Sequence, residues 1–201
     1  MKVTLVDHGA GNVASVERSL QRLGVESLRT NSGACIAKAE ALLLPGVGHY
    51  AALIRVLDEL QLRDPLLEAV GRGVPFLGIC LGLQALYESS EEAPDLLGLR
   101  LVRGNVLALP PIVKLPHMGW NQLRTNRKSV LLEGLESDAY FYFAHSYAAI
   151  DESEATVATC THGADFVAVL EQKNICAVQF HPEKSGAAGE RVLQNFLSLA
   201  S

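Results

Sequence analysis

Apolar positions along this chain follow two rhythms. In the first half, short unbroken apolar runs at residues 3–6, 41–44 and 74–79 stand between stretches of helical periodicity. Such runs, bounded by turn residues, predict strands buried on both faces of a sheet. A helix is expected to begin at Asn12, with Val13, Val16, Leu20 and Leu23 on one face and Gly24 as its stop signal. Residues 26–30 read as the second strand, Pro45-Gly46 as the close of the third, and residues 81–87 as the start of a helix. The second half is richer in strands, at 106–109, 140–144, 155–160, 166–171 and 175–180. A final helix sets Gly189, Val192, Leu193, Phe196, Leu197 and Ala200 on one face. Alternation of strand and helix predicts the α/β class: a mostly parallel central sheet flanked by helices, with chemistry at the carboxyl ends of its strands. The later hairpin-like segments add antiparallel strands to that sheet or form a second small one.

Composition narrows the picture. A chain of 201 residues, 49% hydrophobic and 19% charged, suits one domain spanning residues 1–201 with a sizeable core. A net charge of −5 and the lack of a dense Lys/Arg run argue against nucleic acid and against an anionic membrane surface. The N-terminus meets an acid at Asp7, too early for a signal peptide. The longest apolar stretch, residues 73–83, is about half the ~20 residues of a membrane span. A soluble, cytoplasmic protein is expected. Cysteines at 35, 80, 160 and 176 form no CxxC pair, which fits neither a disulfide framework nor a zinc site. The six histidines are scattered, so no metal and no organic cofactor is expected.

Three segments carry chemistry. In Gly78-Ile79-Cys80-Leu81-Gly82 an apolar strand runs into a Gly-flanked cysteine and then a helix, the thiol form of a nucleophile elbow. The helix N-terminus would favour the thiolate, and the Leu81 N–H would face a developing oxyanion. After another apolar strand comes Phe180-His181-Pro182-Glu183. There His181 can take the Cys80 proton while Glu183 holds the imidazole by its other nitrogen. The third segment, Leu44-Pro45-Gly46-Val47-Gly48, is a Gly-rich turn able to present backbone N–H groups near Val47 and Gly48 as the rest of an oxyanion hole.

Together and in this order, these segments resemble the class I (triad) glutamine amidotransferases, and the resemblance spans nearly the whole chain. Residue 83, usually His in the anthranilate, carbamoyl phosphate and guanylate branches, is Leu. Asp7-His8-Gly9-Ala10-Gly11-Asn12, Pro116-His117-Met118-Gly119-Trp120-Asn121, His145-Ser146-Tyr147 and the extension Pro182-Glu183-Lys184-Ser185 are similar to one branch, the glutaminase subunits of imidazole glycerol phosphate synthase. His8 departs from the Tyr common there. The resemblance implies that Gln84, Ser146 and Tyr147 hold the amino-acid end of glutamine. It also implies a (β/α)8-barrel cyclase subunit as heterodimer partner that receives the ammonia. Asn12, Trp120, Tyr142 and Lys184 are the candidate interface or gate residues, with Asn12 and Trp120 expected on turns.

Other classes leave these segments unexplained. Gly9-Ala10-Gly11-Asn12-Val13-Ala14 satisfies a loose dinucleotide fingerprint, but the second strand ends in Arg29-Thr30 rather than in an acid for the ribose. A cysteine hydrolase or protease-like enzyme would keep the elbow, yet His-Pro-Glu as one unit favours the amidotransferase. A non-enzymatic scaffold has no reason to keep Cys, His and Glu together at strand ends.

Overall fold

The computed structural model describes residues 2–9, 12–150 and 153–200. Ala10 and Gly11 of the N-terminal motif lie outside the described residues. The first half runs β1 (Lys2–Val6), α1 (Val13–Arg22), β2 (Glu26–Thr30), α2 (Gly33–Ile36), β3 (Ala41–Gly46), α3 (Tyr50–Glu59), α4 (Arg63–Gly71), β4 (Phe76–Cys80) and α5 (Leu81–Gln84). The second half runs β5 (Ser89–Ser90), β6 (Asn105–Ala108), β7 (His117–Gln122), β8 (Arg124–Thr125), β9 (Tyr140–His145), β10 (Tyr147–Ala149), β11 (Thr156–His162), β12 (Ala164–Gln172) and β13 (Ile175–Val178). A 3-10 turn at Pro182–Lys184 then leads into α6 (Gly186–Leu199).

An eight-stranded sheet in the order β2-β1-β3-β4-β13-β12-β11-β8 forms the centre. Its first five strands are parallel, and β12, β11 and β8 extend it antiparallel. This is the α/β architecture the apolar runs predict, and the later strands do both things anticipated of them. They lengthen the main sheet, and they build a three-stranded sheet (β10-β6-β5) and a β7-β9 pair.

Strand alternation explains the two cores. Val3, Leu5 and Leu43 face one layer, where Val13, Val16 and Leu20 of α1 meet Val192, Leu193 and Phe196 of α6. Val6, Leu42 and Leu44 face the other, against Tyr50, Leu53, Ile54 and Leu57 of α3 and Leu66, Ala69 and Val70 of α4. These two helices were not anticipated.

Three expectations are corrected. Pro45-Gly46 does not close β3: Pro45 and Gly46 stay in register with Ile79 and Cys80 of β4. The helix after Cys80 is a single turn rather than a run to Tyr87. Its continuation is blocked because Leu99, Leu101 and Val102 donate backbone N–H groups to the Ala85 and Leu86 carbonyls, at 2.7, 2.9 and 3.0 Å, using acceptors a longer helix would need. Trp120 sits inside β7, paired with Tyr142 of β9, and not on a turn.

Candidate active site

β4 ends at Cys80, whose backbone turns sharply with φ 54° and ψ −105°. A non-glycine residue in such a region costs about 1–3 kcal/mol and persists only where the surroundings enforce it. Here the flanking glycines let the chain fold onto itself. A Cβ on Gly82 would lie 1.9 Å from the Leu44 carbonyl oxygen of β3, and one on Gly78 would lie 2.7 Å from the Gly82 oxygen. The Gly-x-Cys-x-Gly spacing is thus a close-approach requirement that presses the elbow against the neighbouring strand.

Beyond β13, His181 is fastened by its backbone, with its N–H donating to the Tyr142 oxygen at 2.8 Å. The 3-10 turn that follows swings Glu183 back beneath the ring, placing His181 Nδ1 2.9 Å from Glu183 Oε1. Ser185 locks this turn, donating its hydroxyl to the His181 oxygen at 2.7 Å and accepting the Tyr142 N–H at 3.0 Å. The Cys80 sulfur stands close enough to His181 to act on the charge of its ring. Burial alone would push this imidazole down; the Cys80 sulfur and the Glu183 carboxylate outweigh it and raise its pKa to about 10. Cys80, His181 and Glu183 therefore form one buried, connected unit. By contrast, burial raises the thiols of Cys160 and Cys176 to about 12, where they behave as small apolar side chains.

Cys80 and His181 open onto a cavity of about 410 Å3. Val47, Gly48, Leu81, Gln84, Ser146, Tyr147, Asn12 and Lys184 line it as well. Gly48 has φ +96°, a conformation that suits glycine at the rim of the turn. Glu183 lies behind His181 and does not line the cavity. Trp120 and Tyr142 also lie outside its lining, as a surface pair with ring centroids 5.9 Å apart, and Lys184 Nζ sits 5.4 Å from the Tyr142 ring centre.

Four further residues line the cavity without a site role in the sequence reading: Glu92 and Ala144, and Pro116 and His145, which stand in its motifs. Glu92 sits in the acidic segment 88–92, to which the sequence reading gives no role. Here its Oε2 accepts the Tyr50 N–H at 2.7 Å, which aims a carboxylate at the cavity. His145 belongs to a group of three imidazoles that the fold gathers from scattered positions. His117 Nδ1 lies 3.2 Å from His145 Nε2, and the His117 and His162 rings stack at 4.1 Å. Burial holds His145 down to about 3 and His117 to about 4. Their nitrogens face one another, backbone carbonyls and the Asn121 side-chain amide. Among the described residues no group of three or more His, Cys, Asp or Glu is arranged to hold a metal ion, and no helix is long and apolar enough to cross a membrane.

Fold and site together define an α/β enzyme of the thiol-elbow class. The family model described as glutamine amidotransferase class-I matches residues 4–199. The chain is 45% identical to the imidazole glycerol phosphate synthase subunit HisH of Methanothermobacter thermautotrophicus, covering 98% of each chain. It is 42% identical to the same subunit of Aquifex aeolicus, over 98% of this chain and 96% of that one. Among solved structures, a glutamine amidotransferase superposes with a TM-score of 0.79 at 21% identity over 98% of both chains, a likeness of fold. The chain belongs to the glutamine amidotransferase class-I family, in the branch of the HisH subunits of imidazole glycerol phosphate synthase.

Proposed function

We propose that the chain, as one glutaminase domain over residues 1–201, hydrolyses glutamine to glutamate and ammonia through a thioester on Cys80. The observation that carries this reading is the buried set of Cys80, His181 and Glu183, in which His181 Nδ1 meets Glu183 Oε1 at 2.9 Å and the Cys80 sulfur acts on the same ring, with the sulfur end at a cavity of about 410 Å3. The Cys80 thiolate attacks the side-chain carboxamide, and backbone N–H groups near Val47, Gly48 and Leu81 receive the oxyanion. His181 protonates the departing ammonia as the C–N bond breaks. It then takes a proton from the water that splits the thioester, returning the sulfur as thiolate. Glu183 orients the imidazole and stabilises its charged form.

At the other end of the substrate, Gln84, Ser146 and Tyr147 hold the amino-acid group. Glu92 supplies the negative charge that an α-ammonium requires, a role supported by its fixed carboxylate at the cavity wall. Ammonia in water at neutral pH is mostly protonated and no longer nucleophilic, so it is passed directly to an acceptor. Relatives named as synthase subunits support a complex with a further subunit, on this reading a (β/α)8-barrel cyclase in a heterodimer. In that partner ammonia converts a phosphoribulosyl-formimino aminoimidazole carboxamide to imidazole glycerol phosphate and aminoimidazole carboxamide ribotide, a step of histidine biosynthesis in the cytoplasm. Asn12, Trp120, Tyr142 and Lys184 form the interface or gate on this reading.

The test mixes the purified chain with glutamine, with and without the barrel subunit, and measures glutamate. Cys80→Ala is expected to abolish glutamate formation while the complex still makes cyclised product from ammonium salt. Cys35, Cys160 and Cys176 are expected to tolerate Ala. Full glutaminase activity in Cys80→Ala would end the reading.

A further inference from the structure

We propose that Gln179 is a further catalytic residue, whose side-chain amide N–H donates to Cys80 Sγ and holds the sulfur in its anionic form. The proposal rests on the reading of Cys80 as the nucleophile. Gln179 follows β13, is fully buried, and is pinned through its own N–H to the Ala168 oxygen at 2.9 Å. Its Nε2 lies 3.5 Å from Cys80 Sγ, within reach of an N–H···S bond.

The two ends of a glutamine amide have the same shape, so which end faces the sulfur is decided by hydrogen-bond partners. Here the decision comes from the backbone. The Tyr147 carbonyl oxygen can only accept, so the Gln84 group 2.7 Å away is its NH2. That same NH2 lies 3.2 Å from the other end of Gln179, which must therefore be the carbonyl oxygen Oε1. The Gln179 NH2 is left facing the sulfur. Reversing Gln179 alone would set NH2 against NH2 and a carbonyl against the lone pairs of a thiolate, at a side chain that is fully buried.

The chain is anchored further out. His145 Nδ1–H also donates to the Tyr147 oxygen, at 3.0 Å. This leaves His145 Nε2 to accept from His117 Nδ1–H at 3.2 Å. Burial keeps both rings neutral at physiological pH, so each has one donor and the direction of every bond follows.

A donor aimed at sulfur is worth more to a thiolate than to a thiol, because hydrogen bonds to charged partners are roughly twice as strong. His181 gives up its proton to the leaving ammonia, whereas the Gln179 amide is neutral and keeps its N–H throughout. It therefore steadies the nucleophile before attack, and again when water splits the thioester, the C–S bond breaks and the sulfur takes back the electron pair.

The test reads the sulfur directly, without glutamine turnover. Cys80 alkylation by iodoacetamide is followed by peptide mass spectrometry across pH, in the full chain and in Gln179→Met and Gln179→Glu, with melting temperature as the folding control. Loss of the N–H in Gln179→Met should move the pH midpoint of alkylation up by about one unit, a roughly tenfold loss of thiolate below the midpoint. Gln179→Glu, which sets a carboxylate beside the sulfur, should move it further. An unchanged midpoint in either folded variant overturns the proposal. Since alkylation needs no glutamine chemistry, that outcome is distinct from failure of the glutaminase reading, which the Cys80→Ala assay reports.

Discussion

His181 Nδ1 stands 2.9 Å from Glu183 Oε1, and the two side chains are 2% and 1% exposed. Among the described residues no group hydrogen-bonds the second carboxylate oxygen, Oε2. A carboxylate that spends one oxygen on the ring and leaves the other bare is built to orient and to balance charge rather than to carry protons onward. Glu183→Gln can keep the contact through its amide oxygen but removes the charge that supports the imidazolium. Turnover is therefore expected to fall, and to fall less than in His181→Ala. Serine triads show a gap of up to roughly two orders of magnitude between orienter and base. Single-turnover thioester formation from glutamine in the two variants checks this; equal losses would give Glu183 a more direct role.

Much of this was legible in sequence, and the reason is local. An apolar run into Gly78-Ile79-Cys80-Leu81-Gly82 specifies an elbow because strand, turn and close backbone approach are encoded within a few residues. His181 and Glu183 lie two positions apart, so one 3-10 turn suffices to join them. Glu92 was hidden because its role depends on a backbone N–H of α3, 42 residues away. The His117–His145 pair was hidden because it exists only through the β7–β9 register. Trp120 is expected on a turn, whereas cross-strand pairing with Tyr142 decides its conformation, a register that local sequence does not encode.

Acid stability follows from the buried imidazoles. His145 and His117 are held near 3 and 4, against an ordinary value of 6.5, mainly by burial. A folded pKa below the unfolded one means the unfolded chain takes up protons first as pH falls. Their stabilising effect is thus full above about 6.5 and is lost as pH falls from there through about 4. His181 has the opposite sign: raised to about 10, its contribution is full below 6.5 and is lost as pH rises through 10. Melting temperature is expected to be highest near neutrality and to decline on both sides. In His117→Phe the acid limb should become shallower, which a melting series from pH 4 to 7 reads directly.

Gly82 offers a test of the elbow's packing. In Gly82→Ala the new Cβ would stand 1.9 Å from the Leu44 oxygen, a backbone atom that cannot move aside as a side chain would. The loss of stability should reach or exceed the ~1–3 kcal/mol of ordinary overpacking, and glutamine turnover should fall with it. Gly71, at the end of α4, has nothing within 4 Å of its Cβ position and no positive φ. Gly71→Ala should therefore leave turnover alone and gain about 0.4–1 kcal/mol. Equilibrium urea unfolding of the two variants separates the cases, and an unchanged Gly82→Ala would contradict the close approach.

Glutaminase activity is expected to be low in the isolated chain and to rise when the barrel subunit is bound and occupied by its ligand. Hydrolysing glutamine with no acceptor wastes it, and the turn at Val47-Gly48, just past β3, with open space at Gly48, has the freedom to keep one oxyanion donor misaligned. Losing one such donor costs about 10²–10³ in rate, so a single peptide rearrangement is a large switch. A route from the surface to the triad is present: Trp120, 55% exposed, abuts Tyr142, whose carbonyl oxygen accepts the His181 N–H at 2.8 Å. Lys184 sits over the same Tyr142 ring and also lines the cavity. Truncating Trp120 or Lys184 to Ala should therefore disturb the ratio of glutamate formed to product cyclised in the complex more than it disturbs the KM for glutamine. Both quantities come from one coupled assay on the wild-type and variant complexes. An isolated chain that already hydrolyses glutamine at the rate of the liganded complex would have no switch to disturb, and the expectation would fail there.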